Sequence, residues 1–364
     1  MHVLHVVGAR PNFMKASPVL RALAARPGVR QSLVHTGQHY DANMSDVFFR
    51  QLDIPAPDDN LEVGSGSHSK QTAEVMTRFE PVVLHRKPDL VLVYGDVNST
   101  VSAALVCAKL LVPVGHVEAG LRSGDRTMPE EINRLVTDQL ADWLFTPSAD
   151  GNENLAREGV PAEKVHLVGN VMIDTLVRLL PRADERWPAV AANLDLGRGD
   201  GKYVLVTLHR PSNVDDPEGL RTLLATLKAI ARDVRVVFPV HPRTRQRLAS
   251  LGLDDPGAGV TLTEPVGYID FLALQKHAAV VVTDSGGIQE ETTYLGVPCL
   301  TVRENTERPV TISVGTNTLV GRDVVRLTGE VAKILAGGAK AGAIPPGWDG
   351  KAGERIADVL VRAG

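Results

Sequence analysis

Short runs of β-branched and aliphatic residues alternate along the chain with longer segments of helical spacing, the pattern of strand–helix–strand units built around parallel sheets. HVLHVVG (2–8), RQSLVHTG (30–37), PDLVLVYGD (88–96), VPVGHVEAG (112–120), ADWLFTPS (141–148) and KVHLVGN (164–170) form a first set of predicted strands. A polar stretch with Pro and Gly around 181–202 interrupts the alternation. KYVLVTLHR (202–210), VRVVFPVH (234–241), GVTLTEP (259–265), AAVVVTDSGG (278–287) and VPCLTV (297–302) form a second set. The pattern predicts an α/β protein of two Rossmann-like lobes with parallel sheets, spanning 1–172 and 173–346, with a linker near 171–200. Ile356, Val359 and Leu360 have helical spacing, so 347–364 is expected to be a closing helix.

Composition narrows the function class. At 364 residues and 43% hydrophobic content, the chain exceeds one ordinary core, which agrees with two domains. Its 39 basic and 43 acidic residues are interspersed and sum to −4, so no basic face for nucleic acid or acidic lipid is expected. Cys107 and Cys299 each lie inside an apolar run and are read as buried small hydrophobes. No signal-peptide pattern follows Met1 and no apolar run approaches ~18 residues. A cytoplasmic protein without a membrane partner is the expectation.

Ligands of open parallel sheets bind beyond the carboxyl ends of the strands, so the residues after each apolar run are the candidates, in a cleft formed by two such edges. In TDSGGIQEE (283–291) a strand ends at Asp284 and a helix begins at or just after Ser285. The backbone N–H groups of Ser285, Gly286 and Gly287 suit a diphosphate there, and Glu290 and Glu291 are placed to accept from ribose hydroxyls. Read blandly, the same residues are an N-cap and a first-turn acidic pair. GARPNFMK (8–15) adds Arg10 and Lys15 in a strand-to-helix turn. Asp96 and Glu118 each close an apolar strand, and several carboxylates in one cleft supply both an acid and a base. Glu130 and Glu131 open the helix EEINRLVTDQL, where Glu130 and Arg134 are also spaced for an ordinary i,i+4 salt bridge. His209, followed by Arg210, is a candidate phosphate donor in the second lobe, whereas His5, His35 and His116 are read as core or supporting residues. GSGSHS (64–69) and GRGDGK (197–202) lack the spacing of nucleotide fingerprints, so NAD and ATP are unsupported, and no histidine pair has zinc spacing.

Taken together, GARP and MK (8–15), TGQH (36–39), PDLVLVYGD (88–96), VGHVEAGLRSG (114–124), PEEINR (129–134), LHR (208–210), PVHP (239–242), TDSGGIQEE (283–291) and TERP (306–309) resemble the non-hydrolysing UDP-N-acetylglucosamine 2-epimerase family over nearly the whole chain. The resemblance implies the two-lobed GT-B fold and C2 epimerisation by elimination of UDP to a 2-acetamidoglucal and re-addition. It implies no NAD, no metal and a homodimer. Asp96, Glu118 and Glu130 would be the acid/base carboxylates. Arg10, Lys15 and His209 would meet the diphosphate, with Ser285, Gly286 and Gly287 donating backbone N–H. Glu291 would bind the ribose, Phe271 and the main chain near Val266 the uracil, and Arg308 the nucleotide. Two departures stand out. Asn12 replaces the Glu of many members. Gln38, Lys70 and His241 are remnants of a pattern found in allosterically activated members, whose QHRxMLD reads QHYDANMSD here, which leaves activation by a second UDP-sugar open. The pattern also covers epimerases of UDP-2,3-diacetamido-2,3-dideoxyglucuronate, and a GT-B glycosyltransferase would share the fold and the diphosphate cradle.

Overall fold

A computed structural model describes residues 1–37, 51–196, 201–253, 255 and 257–363. The chain divides into two compact units, Met1–Thr175 with Pro346–Gly364, and Leu176–Pro345. The first holds seven parallel strands, β1 (His2–Val7), β2 (Arg30–His35), β3 (Asp59–Asn60), β4 (Leu90–Tyr94), β5 (Val114–Val117), β6 (Trp143–Thr146) and β7 (Val165–Leu167), in the order β3-β2-β1-β4-β5-β6-β7. The second holds six, β8 (Tyr203–Thr207), β9 (Arg235–Pro239), β10 (Val260–Thr263), β11 (Val280–Thr283), β12 (Cys299–Thr301) and β13 (Asn317–Leu319), in the order β10-β9-β8-β11-β12-β13. β1, β4, β5 and β11 are buried at every position, as expected of parallel strands covered by helices on both faces.

This order gives each sheet one place where consecutive strands part to opposite sides. In the first unit it lies between β1 and β4, and in the second between β8 and β11. Such a switch point opens a crevice at the carboxyl ends, because the loops there turn away from each other.

β3 and β13 lie in no predicted apolar run, because Asp59–Asn60 and Asn317–Leu319 are mostly polar. The linker expected near 171–200 is a correction. Val171–Asn193 is one helix of 23 residues, despite Pro181 and Pro188. Its fully buried Ile173, Leu176, Leu179 and Ala183 recur at helical spacing, and that packing outweighs the proline signal. Near the C-terminus the Trp348 Nε1 donates to the Pro147 carbonyl at 2.9 Å, and the helix Ala352–Ala363 packs on Arg10–Ala24 of the same unit. The approach is close: a Cβ on Gly353 would stand 2.8 Å from the Pro18 backbone. Cys107 and Cys299 are buried free thiols, which burial raises to about 12 and about 11. No helix among the described residues is long and apolar enough to cross a membrane.

Candidate active site

In the first unit the turn after β1 is tied to the end of β4 by Asn12. Its Oδ1 accepts the Gly8 and Ala9 amides at 3.0 Å, and its Nδ2 donates to the Tyr94 carbonyl at 2.7 Å. Only a neutral amide does both, which gives a physical account of Asn at this position. One turn further along the helix Arg10–Ala24, Lys15 forms a buried ion pair with Glu118. Both side chains abut Gly95, where any Cβ would meet the Lys15 Nζ and lie 3.0 Å from Glu118 Oε2. Glu118 itself has φ +74°, a conformation that costs a non-glycine residue on the order of 1–3 kcal/mol and that accumulates at functional sites. The cost is offset locally, since the Glu118 and Ala119 amides both donate to the Phe145 carbonyl at 3.1 and 3.0 Å.

Asp96 follows β4 by two residues and is half-buried. Its carboxylate accepts from Arg134 Nη1 at 2.5 Å, and its carbonyl from Asn133 Nδ2 at 2.8 Å. Arg134 also donates to Glu131 from Nε and Nη2 at 3.1 and 2.8 Å, and Glu131 takes the Ser123 and Gly124 amides as well. Burial works to raise Glu131, but these donors outweigh it and hold the carboxyl below its ordinary range. The ordinary i,i+4 salt bridge between Glu130 and Arg134 is therefore absent. Arg134 is spent on Asp96 and Glu131, and Glu130 is half-buried with no hydrogen bond or ion pair among the described residues.

The second unit repeats the placement at its own switch point. Asp284, fully buried just after β11, accepts the His209 amide at 3.0 Å, the Arg210 amide at 2.9 Å and Asn213 Nδ2 at 3.0 Å, and lies 3.1 Å from His209 Nδ1. Ser285 stands at the N-cap position of the helix Gly286–Leu295, as the motif predicts, though its side chain makes no capping hydrogen bond. Its amide donates to Thr283 Oγ1 at 3.0 Å, while the Gly286 and Gly287 amides open the first turn, where no carbonyl of the helix reaches them. A Cβ on Gly286 would strike the Arg308 guanidinium and stand 2.8 Å from Glu307 Oε1, so any side chain here would have to push Arg308 aside. Glu290 is a correction: it is buried 2.9 Å from Arg308 Nε and is an ion-pair partner rather than a ribose acceptor. Glu291 accepts from Tyr268 OH at 2.8 Å and Gln275 Nε2 at 2.6 Å, with burial raising its carboxyl above the ordinary range.

The chain's sequence matches the model of UDP-N-acetylglucosamine 2-epimerase over residues 21–361. The chain belongs to this family. A UDP-N-acetylglucosamine 2-epimerase of Methanocaldococcus jannaschii is 42% identical over 360 residues, covering 98% of this chain and 97% of the relative. A UDP-2,3-diacetamido-2,3-dideoxy-D-glucuronate 2-epimerase of Pseudomonas aeruginosa is 44% identical over 330 residues, covering 89% and 90%. The crystal structure of the M. jannaschii UDP-GlcNAc 2-epimerase in complex with UDP-GlcNAc and UDP is similar to this chain with a TM-score of 0.91 and 42% identity, covering 100% of both chains.

For the remaining candidates of this epimerase-family chain, the structure gives the following places. Arg10 is the first residue of its helix. Val266 and Phe271 are partly buried against the core that includes Tyr203, Leu274 and Val297. Lys70 is exposed in the first turn of the helix His68–Arg86 in the first unit. His241 belongs to the second, where it caps the helix Pro242–Ser250 with its ring 6.0 Å from that of His209. Gln38 lies outside the described residues. Sequence reading assigned no role to Asp284 or Asn213, and gave Arg134 only that of a salt-bridge partner for Glu130. Asp284 carried a signal, the end of an apolar strand; the other two lie on helices and become visible only through their contacts.

Proposed function

We propose that the chain interconverts UDP-N-acetylglucosamine and UDP-N-acetylmannosamine by eliminating UDP to a 2-acetamidoglucal and adding it back. The C2 proton has no adjacent carbonyl, so its removal must accompany loss of the anomeric substituent. A carboxylate takes the proton, the C–H electron pair forms the C1–C2 double bond, and the C1–O pair departs with UDP. Re-addition protonates C2 from the opposite face as UDP oxygen returns to C1. This route moves no hydride and oxidises no carbon to a ketone, so it gives NAD no step, and no metal is part of the proposal.

The observation that carries the reading is the trio at the ends of β4 and β5 and the start of the following helix. Glu118 is held against a lysine, Asp96 against an arginine, and Glu130 has no partner among the described residues. Three carboxylates contributed by neighbouring turns and one helix start supply the groups that a reaction removing a proton on one face and delivering one on the other requires. His209, Arg10, Lys15 and the Gly286 and Gly287 amides would hold the diphosphate between the two half-reactions. Glu291, Arg308, Phe271 and the main chain near Val266 would hold the nucleoside. We further propose a cytoplasmic homodimer. The 44% identity to the Pseudomonas enzyme favours a second reading, the same chemistry on UDP-2,3-diacetamido-2,3-dideoxyglucuronate.

Incubation with UDP-N-acetylglucosamine in deuterated water, without NAD, should place deuterium at C2 and yield the manno epimer. Exchange on the diacetamido uronate alone would move the substrate; exchange on neither would refute the epimerase reading.

A further inference from the structure

A chain of buried hydrogen bonds links the turn bearing Asp96 to the turn bearing Glu118, and the mechanism above uses none of it. His116, on β5, is fully buried. Its Nε2 donates to the Gly95 carbonyl at 2.8 Å, and its Nδ1 lies 2.6 Å from Asp138 Oδ1. Asp138 comes from the helix Pro129–Leu140, the same helix that presents Glu130 in its first turn. Its second oxygen accepts the Gly120 amide at 3.0 Å and lies 2.7 Å from Arg122 Nη2. Arg122 continues outward, donating to both oxygens of Glu158 at 2.8 and 2.7 Å.

We propose that His116 and Asp138 are positioning residues, a buried brace that sets Asp96, Glu118 and Glu130 relative to one another. The proposal rests on the epimerase reading. Gly95 and Gly120 flank the two carboxylate-bearing turns at φ +63° and +80°, conformations that leave such turns pliable unless something outside them pins them. The brace bonds to one glycine of each turn, and its acidic member is anchored in the helix of the third carboxylate. A buried polar network is costly unless every member is satisfied, and an apolar trio would join the same strands with less desolvation. What an apolar trio would not do is fix direction. Proton transfer to the two faces of one carbon needs the carboxylates held to ~0.5 Å.

The test compares His116→Gln and Asp138→Asn with Glu158→Ala, which breaks only the outer end of the network. Glutamine cannot serve both the Gly95 carbonyl and Asp138 with donors, and asparagine turns a donor toward Arg122 or Gly120. We expect kcat to fall by about 100-fold in the first two, the size of loss a ~1 Å misplacement causes. KM and the Kd for UDP should stay within about twofold, because the proposed nucleotide residues of the second unit are untouched, and more free UDP should be released per epimer formed, since delayed re-protonation lets the glucal escape. Glu158→Ala should keep wild-type kcat. Near-wild-type kcat in both inner variants overturns the brace, as does a parallel fall of kcat, UDP affinity and thermal stability in all three. If the wild-type protein exchanges no C2 deuterium, the epimerase reading fails instead. The brace is then judged on the crystal structure of His116→Gln, where unmoved Asp96 and Glu118 carboxylates would overturn it.

Discussion

The Nδ1 of His209 lies 3.1 Å from the Oδ1 of Asp284, at the carboxyl ends of the neighbouring strands β8 and β11. This contact orients the ring so that Nε2 is the nitrogen left for a ligand. Burial works to raise Asp284, but His209, the Arg210 amide and Asn213 outweigh it and hold the carboxyl below its ordinary range. Asp284→Asn should lower kcat at least about tenfold and destabilise the fold by about 2 kcal/mol, the scale of a charge-assisted buried bond. A carboxyl depressed in the folded state stabilises fully above its unfolded pKa and loses that contribution as pH falls through the folded one. Wild type should therefore lose more stability than Asp284→Asn on acidification below about pH 4, measured by denaturant titration.

Glu130 and Glu131 are adjacent, yet they should respond oppositely to the same substitution. Glu130→Gln should leave stability within about 0.5 kcal/mol and reduce C2 deuterium exchange by about 100-fold or more. Glu131→Gln removes the partner of a buried guanidinium and should cost about 3 kcal/mol. Thermal melts and exchange rates on the pair check both claims; a strongly destabilised Glu130→Gln would contradict the geometry.

Gly286→Ala puts a methyl group into the Arg308 guanidinium at the start of a helix where alanine itself is well tolerated. The fold should survive but melt at a lower temperature, because displacing Arg308 takes the cation from the buried Glu290 carboxylate. Calorimetric affinity for UDP should fall about tenfold or more as Arg308 is displaced.

Asp174 joins the helix Val171–Asn193 to the C-terminal helix, accepting the Ala352 and Gly353 amides at 3.0 and 2.7 Å. Burial pushes its carboxyl up to about 6 despite those two donors. Between about pH 4 and pH 6 the folded chain holds a proton there that the unfolded chain does not. This group's contribution to stability therefore rises as pH falls from 7 to 5. Asp174→Asn should flatten the difference, by a few kcal/mol at most, and parallel pH series of thermal melts read it out. An unchanged pH slope in the variant would show that Asp174 does not titrate there.

Eleven of the thirteen strands lie wholly within predicted apolar runs, and the runs around β7 and β12 extend past these three-residue strands, which is what makes them visible. The candidate positions were legible for a related reason: in a parallel sheet the residue after an apolar run must stand at the carboxyl edge, so Asp96, Glu118, His209 and Ser285 could be singled out without contacts. Val171–Asn193 was misread because proline is a strong local signal and tertiary burial is invisible locally.

Local order alone thus determined the parallel architecture, the edge residues and, through nine ordered motifs, the family. Tertiary structure decided which of those residues are spent on one another. Arg134 is equally well spaced for Glu130 and Glu131 along its helix, and the approach of Asp96 from the turn after β4 goes with its pairing to Glu131, which leaves Glu130 without a partner among the described residues. Glu290 looks as available as Glu291 until Arg308, 18 positions later in the chain, is brought against it. Periodicity records which face of an element is buried, whereas the pairing of charges depends on distances between elements that no local pattern encodes.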